Sequence, residues 1–177
     1  MLGDCHIELN RWPTEEDWMQ VKERALITTW KSAKNPPDAN WKHRILEARH
    51  SPIRYLMYGF TFKNIPSNTA THFVRHVHAQ PYVSSLRNDR QEMMDGDAAR
   101  RDTPVNMILD VNGEELMVMA NKRLCNCAAK DTRRIMEVMC SLVLQKTPEY
   151  DGLLVPMCDY HGGVCHEMFP CGRLNHG

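Results

Sequence analysis

The feature that most limits the fold is a helical region that runs from Asn112 to Pro148. An Asn-Gly-Glu-Glu start is typical of a helix N-terminus, and proline stops a helix because it has no backbone donor. A helical region of this length gains most of its stability from packing an apolar face against another element. The predicted core positions on that face include Leu124, Ile135, Met139 and Leu142.

A strand is predicted over residues 53–63, IRYLMYGFTFK. Its β-branched and aromatic residues place apolar side chains on both faces, which indicates a buried strand. Ser67 follows as the cap of a helix that ends before Pro81, since the residue preceding a proline avoids the helical region.

The N-terminal part of the chain predicts two further helices. Thr14 caps the first, and Asn40 caps a second that extends to about Arg49. The highly charged segment 87–102 reads as a solvated loop. Helix 1 places four apolar residues roughly on one face: Trp18, Val21, Ala25 and Trp30.

Composition excludes several classes of protein. The 177 residues carry 22 Lys+Arg and 22 Asp+Glu, so the net charge of zero argues against a nucleic-acid coat protein, although a local anion site remains open. No apolar run is long enough to span a bilayer, and the N-terminus lacks an apolar signal region. We therefore expect a cytoplasmic protein whose seven cysteines are free thiols.

The first chemical constellation is Arg75-His76, followed by Ser85-x-Arg87. A guanidinium fork and a hydroxyl are the groups that bind a phosphate monoester. Cationic side chains near the end of a helix also compensate its dipole, so that simpler interpretation stays open.

The segment FTFKNIPSNTATHFVRHVHAQPYVSSLRND resembles the signature region of flavin-dependent thymidylate synthases, whose pattern reads R-H-R-x-x-S-x-N-E-x-S-x-R-Y. Arg75, His76, Ser85 and Arg87 occupy matching positions. The chain departs from the pattern elsewhere, most notably at Val83, where the family has a glutamate.

Two more regions carry the resemblance. The family's N-x-R motif, followed on the same helix by A-Q-x-E-I-R, is matched by Asn121-x-Arg123 and by Asp131-Thr132-Arg133 at the same interval. Some members end in a G-P-x-C…C-x-E-G…C-G segment, and VPMCDYHGGVCHEMFPCGR has that order. The three similarities are collinear over about residues 50–173.

The resemblance implies a chain of the broad α/β class. Within that class it implies the α+β fold of this family, which has a central antiparallel sheet and long helices. It implies one domain over residues 1–151, with a Cys/His/Gly-rich tail of the same domain over 152–177. It also implies a homotetramer with its sites at subunit interfaces. The activity implied is reductive methylation of dUMP at C5 with FAD, and with NADPH and methylenetetrahydrofolate as co-substrates.

The site residues are carried over by position. The resemblance places Arg75 and His76 near FAD, and Asn121 and Arg123 near the flavin ring. Ser85 and Arg87 would hold the dUMP phosphate. Arg133 would lie beside the uracil, where a fixed cation stabilises charge that develops on the ring.

Several alternatives stay open. The departures at the nucleotide positions make hydroxymethylation of dUMP or dCMP a second reading, and a zinc-stabilised interaction module without activity a third. A cysteine-nucleophile enzyme is the weakest, because no cysteine has an evident base partner in the sequence. The tail could hold zinc, whereas Cys125-x-Cys127 reads as structural; the tail's candidate ligands are Cys158, Cys165, Cys171, His161 and His166.

Overall fold

The computed structural model describes residues 4–174 and centres on a four-stranded sheet in the order β1-β2-β4-β3, in which every neighbouring pair is antiparallel. The elements are β1 His6–Arg11, α1 Glu15–Ile27, α2 Ala39–Glu47, β2 Met57–Pro66, α3 Ser67–Val74, β3 Ala79–Val83, β4 Pro104–Asn112, α4 Gly113–Arg123, α5 Lys130–Lys146 and α6 Met157–Tyr160. Short 3-10 turns cover Ser51–Tyr55, Gly96–Ala98 and Pro148–Tyr150.

The two central strands bury one face. Phe60 pairs with Leu109 and Phe62 with Met107 across β2 and β4, and all four side chains are buried. Helices α3, α4 and α5 contact the sheet. The expected fold class, with its central antiparallel sheet and helices, is confirmed.

The central strand differs from its prediction in two respects. Residues 51–55 form a 3-10 turn, so β2 starts at Met57 and extends to Pro66. Tyr58, Gly59 and Phe60 are all buried, but from Phe60 to Lys63 burial alternates more than the sequence suggests, because Thr61 is half-buried and Lys63 is exposed. β1, β3 and β4 are missing from the prediction, although alternate residues of β4 are buried from Val105 to Val111.

The region from Asn112 to Pro148 is two helices, and the prediction of one continuous element is wrong. A straight helix of that length would measure about 50 Å, which exceeds the diameter of a domain of this size. The chain instead turns at residues 124–129, and α4 and α5 contact each other. Ile135 and Met139 are fully buried as expected, whereas Leu124 and Leu142 are partly exposed.

The helix ends also differ from expectation. Asp38 caps α2 in place of Asn40, and Ser67 is the first residue of α3 and not its cap. α3 stops at Val74, so Pro81 lies within β3, where an edge strand tolerates it. Trp30 lies beyond α1 and is 98% exposed, so it is not part of the core.

Candidate functional site

Arg75 and His76 form the corner between α3 and β3. The turn is closed by the His76 amide, which donates to Phe73 O, and by the Ala79 amide, which donates to His76 O. The two residues therefore lie on an irregular corner. The sequence had instead suggested that they lie on a helix. His76 points inward and is 8% exposed, whereas Arg75 is exposed.

His76 joins the two motif regions through a buried hydrogen-bonded chain, here called the histidine bridge: Glu115, His76 and Arg123. Arg123 Nε donates to His76 Nε2 at 3.0 Å, and His76 Nδ1 lies 2.9 Å from Glu115 Oε1. Because Nε2 accepts from a guanidinium, it carries no proton. The imidazole is therefore neutral, and its Nδ1–H donates to the carboxylate.

Glu115 is the residue of this bridge that sequence reasoning missed. It lies in the first turn of α4, where Asn112 Oδ1 accepts from its amide at 2.9 Å. A carboxylate is favourable at a helix N-terminus because the dipole there is positive. Its side chain is buried, and only its position at a helix start hinted at it in the sequence.

A second set of hydrogen bonds, which passes through His72, connects Arg123 to α5. Arg123 Nη2 donates to the carbonyl of His72 at 2.7 Å, and His72 Nδ1 lies 2.7 Å from Thr132 Oγ1. Thr132 is fully buried and precedes Arg133 in the first turn of α5. The arginine of the N-x-R motif is thus braced against the helix that carries Arg133.

Burial and nearby cationic groups lower the pKa values of three side chains at this corner. Burial, and secondly the charge of Arg75, lowers the pKa of Arg123. Burial also lowers the pKa of His76 and of His72, and Arg123 contributes in both cases. Within residues 4–174, the Arg75 side chain makes no hydrogen bond or ion pair, so its guanidinium is free to bind an anion.

A cavity of about 550 Å³ opens beside the bridge, and we call it the anion cleft. This volume is in the range of small-molecule sites. Val77 and Val118 add apolar surface to its wall. The charged and titratable groups in its lining are Arg54, Arg75, His76, His78, Glu114, Glu115 and Lys122.

The side chain of Asn121 forms its hydrogen bonds within the chain. It is fully buried, accepts a hydrogen bond from Arg49 at its Oδ1, and donates from Nδ2 to Val155 O at 2.7 Å. The Arg49 guanidinium also stacks on the Tyr160 ring at 4.1 Å. Asn121 therefore fastens the tail to α4 on the side of the helix away from solvent.

Arg133 lies on the first turn of α5, with a quarter of its side chain exposed. Its Nη1 donates to Asn126 O at 3.5 Å, and its Nε lies 3.9 Å from Glu137 Oε1. Both contacts are long, so the guanidinium has donors available for a ligand.

Ser85 and Arg87 contact only their own loop in the described part of the chain. Ser85 Oγ accepts from the Arg87 amide at 3.2 Å, and Arg87 forms a bidentate ion pair with Asp89 at 2.7 and 2.9 Å. Arg87 is mostly exposed. The structure thus joins Arg75, His76, Arg123 and the start of α5, but it does not bring the Ser-x-Arg pair to them within one chain.

Solved structures with the same arrangement of helices and strands are known. Thymidylate synthase X of Helicobacter pylori, crystallised with FAD and dUMP, superposes with a TM-score of 0.67 at 14% identity over 85% of this chain and 97% of that one. A second structure of the flavin-dependent enzyme from the same organism, also with FAD and dUMP, gives 0.63 at 14% identity over 80% and 95%. The chain has the fold of the flavin-dependent thymidylate synthases.

This fold is present in a strongly divergent sequence. No family model matches the chain, and no curated protein does. No helix in the described part combines the length and the apolar character needed to cross a bilayer.

The histidine bridge predicts a pH dependence of stability. The lowered pKa values of His72 and His76 mean that, below about pH 6.5, the unfolded chain binds protons that the folded chain does not. The free energy of unfolding should therefore fall as pH falls below that value, and His76→Gln should flatten the decrease. Urea titrations at a series of pH values measure it, with exposed His78→Gln as control. Equal slopes for wild type and His76→Gln would contradict the bridge.

Proposed function

We propose that this chain is a divergent flavin-dependent enzyme of the thymidylate synthase type, which methylates dUMP at C5 with methylenetetrahydrofolate as carbon donor and NADPH as reductant. The observation that carries the proposal is the histidine bridge beside the anion cleft. On a fold shared with FAD- and dUMP-binding enzymes, it holds Arg123 against His76, which lines one cleft together with Glu115 and the free guanidinium of Arg75.

The donor set of the cleft fits FAD. Arg75, Lys122 and His78 present cationic or titratable donors to a dinucleotide pyrophosphate, and apolar Val118 and Val77 can contact a ring. His76 holds Arg123 through Nε2, so the remaining Nη1 donors keep a fixed direction. When bound, FAD supplies the redox chemistry. Asn121 belongs to the same proposed set, with its role in placing α4 supported by its buried contacts.

Arg133 is the proposed catalytic residue. Its long contacts to Asn126 and Glu137 leave donors free, and its first-turn position adds the positive end of the helix dipole. A guanidinium beside a pyrimidine stabilises negative charge that develops on the ring oxygen as C5 becomes nucleophilic.

The nucleotide phosphate is assigned to Ser85 and Arg87, acting on the site of a neighbouring subunit. Both lie on an exposed loop whose contacts are local, which suits residues that complete a site in an assembly. We therefore propose a homotetramer in which the cleft of one chain faces this loop of another.

Hydroxymethylation of dUMP or dCMP is the second candidate. Val83 stands where the family signature has a carboxylate, and its neighbour Tyr82 is 60% exposed on the edge strand β3. A valine cannot accept a hydrogen bond from the nucleotide, so recognition at this position differs from the family pattern.

The deciding experiment incubates the protein with FAD, NADPH, methylenetetrahydrofolate and either dUMP or dCMP, followed by mass analysis of the nucleotide. Replacement of one hydrogen by a methyl group on dUMP supports the main proposal, and a hydroxymethyl product supports the second candidate. Unchanged nucleotides in a protein that carries bound flavin would contradict both activities.

Arg87→Ala should weaken dUMP binding by about 1.5–3 kcal/mol, because the charge-assisted bonds to phosphate are lost. That corresponds to about a tenfold to hundredfold rise in the dissociation constant, measured by calorimetry on the flavin-loaded protein. Arg90→Ala removes an exposed arginine three residues away and should leave affinity unchanged. Equal affinities for wild type and Arg87→Ala would disprove the phosphate role.

Arg133→Ala should lower kcat far more than it raises the dissociation constant of dUMP, since its charge acts on the transition state. Single-turnover kinetics and dUMP titration separate the two quantities. The neighbouring and exposed Arg134→Ala serves as control. An effect confined to affinity would reassign Arg133 to substrate binding.

A further inference from the structure

The tail packs against the linker at residues 124–129, and a cavity of about 260 Å³ lies between them. Four cysteines line this cavity: Cys125, Cys158, Cys165 and Cys171. Among residues 4–174, however, no three His, Cys, Asp or Glu side chains are arranged to hold a metal ion. The described residues therefore give no support to the zinc site that the sequence suggested for the tail, and the thiols are open to other chemistry.

Three cysteines lie together where the linker meets the tail, and we call them the thiol cluster: Cys125, Cys127 and Cys171. Cys127 interacts with both of the others. Its amide lies 3.5 Å from Cys125 Sγ, its thiol forms a hydrogen bond with that of Cys125, and it interacts electrostatically with Cys171. The sequence suggested that Cys125 and Cys127 lie on a helix, whereas the structure places them in the turn that follows α4.

The two exposed members of the cluster are held near each other by a backbone contact. The Cys127 thiol donates to the carbonyl of Phe169 at 3.4 Å. Only Pro170 separates Phe169 from Cys171, so one short stretch of the tail carries both the acceptor and the second thiol. Cys127 and Cys171 are exposed, whereas Cys125 is buried. A thiol reagent in solution therefore reaches Cys127 and Cys171 more readily than Cys125.

The non-covalent contacts beside the cluster hold the tail weakly. Met168 and Phe169 are 84% and 81% exposed, so they bury little apolar surface. Lys122 Nζ lies 3.8 Å from Glu167 Oε1, and an ion pair of that length between largely exposed side chains contributes little stability. A covalent bond at this position would therefore change how firmly the tail is attached.

We propose that Cys127 and Cys171 form a reversible disulfide, which fastens the tail to the linker, when the protein meets a low-molecular-weight disulfide. The Cys171 thiolate attacks the S–S bond of the reagent, forms a mixed disulfide and releases one small thiol. The Cys127 thiolate then attacks the Cys171 sulfur and displaces the second small thiol. The two protein thiols are oxidised, the reagent is reduced to two thiols, and the protons of the two cysteines pass to them.

The order of attack follows from the surroundings of Cys127. Loss of water around the thiol, and secondly its hydrogen bond with Cys125, raises the pKa of Cys127 to about 11. Since the thiolate is the nucleophile, Cys127 attacks slowly at neutral pH, and the first step is assigned to Cys171. The rate of disulfide closure by Cys127 should rise about tenfold per pH unit near neutrality, because its thiolate fraction does so.

Cys125 is the less suitable partner for Cys127. Its sulfur is buried in the cavity wall and accepts from the Cys127 amide. A bond between Cys125 and Cys127 would close a tight loop across a single residue and would disrupt that contact. A bond between Cys127 and Cys171 instead joins two exposed side chains from segments that already touch.

The disulfide would restrict the linker that joins the two parts of the candidate site. Cys127 follows Asn126, whose carbonyl accepts from Arg133, and Arg123 lies at the other end of the linker. Attachment of the tail at this point limits the movement of the linker. An effect on turnover rests on the proposed function, but formation of the bond requires neither flavin nor substrate, so the two proposals fail separately.

Mass spectrometry of the full chain after incubation with oxidised glutathione tests the proposal. The wild type should become about 2 Da lighter, should lose two reactive thiols, and should recover them with a reductant. Peptide mapping should join residue 127 to residue 171. Cys127→Ser should stop at a glutathione adduct on Cys171, and Cys5→Ser is the control that keeps the internal bond. Stable glutathione adducts in the wild type, a bond of Cys125 to Cys127, or a bond between two chains would overturn the proposal.

Limited proteolysis tests whether the bond fastens the tail. Cleavage within residues 160–170 should be slower in the oxidised wild type than in the reduced wild type, and Cys127→Ser should show no such difference after the same treatment. Equal cleavage rates in the two forms of the wild type would overturn the fastening role. Mapping and proteolysis of the wild type use no variant, so they decide the proposal even if a cysteine variant does not fold.

Discussion

The buried carboxylate of Glu115 is the constraint on which the candidate site depends. It accepts from His76, which fixes the imidazole as a neutral acceptor for Arg123. Without this carboxylate, His76 Nδ1–H would be buried without a partner, and the imidazole would no longer be held as an acceptor for Arg123. The site thus holds two guanidinium groups close together, which is the arrangement an anionic ligand requires.

The break between α4 and α5 also determines which residues of the candidate site meet. By turning at residues 124–129, the chain brings Arg123 at the end of one helix beside Thr132 at the start of the next, with His72 between them. The same turn places Cys125 against the tail. One short linker therefore positions the end of α4, the proposed catalytic helix and the wall against which the tail packs.

Local sequence signals predicted a structural feature correctly where that feature depends on a single helix or strand. The capping box at Thr14, the aromatic strand that contains Phe60 and Phe62, and the stop at Pro148 each report on a few neighbouring residues. They failed where packing between elements decided it. Neither the break in the long helix nor the exposure of Trp30 can be read from periodicity, because both depend on what surface is available to cover an apolar side chain.

The sequence by itself determined the residue types and intervals of the site: Arg75-His76, Asn121-x-Arg123 and Arg133. Only the tertiary structure decided which of them touch. Glu115 and His72 have no special spacing along the chain. Their importance comes from hydrogen bonds and cavity walls formed between segments up to 60 residues apart, as in the contact of His72 with Thr132. Such contacts arise only when helices and strands pack, since burial is what makes a lone carboxylate or thiol need a partner.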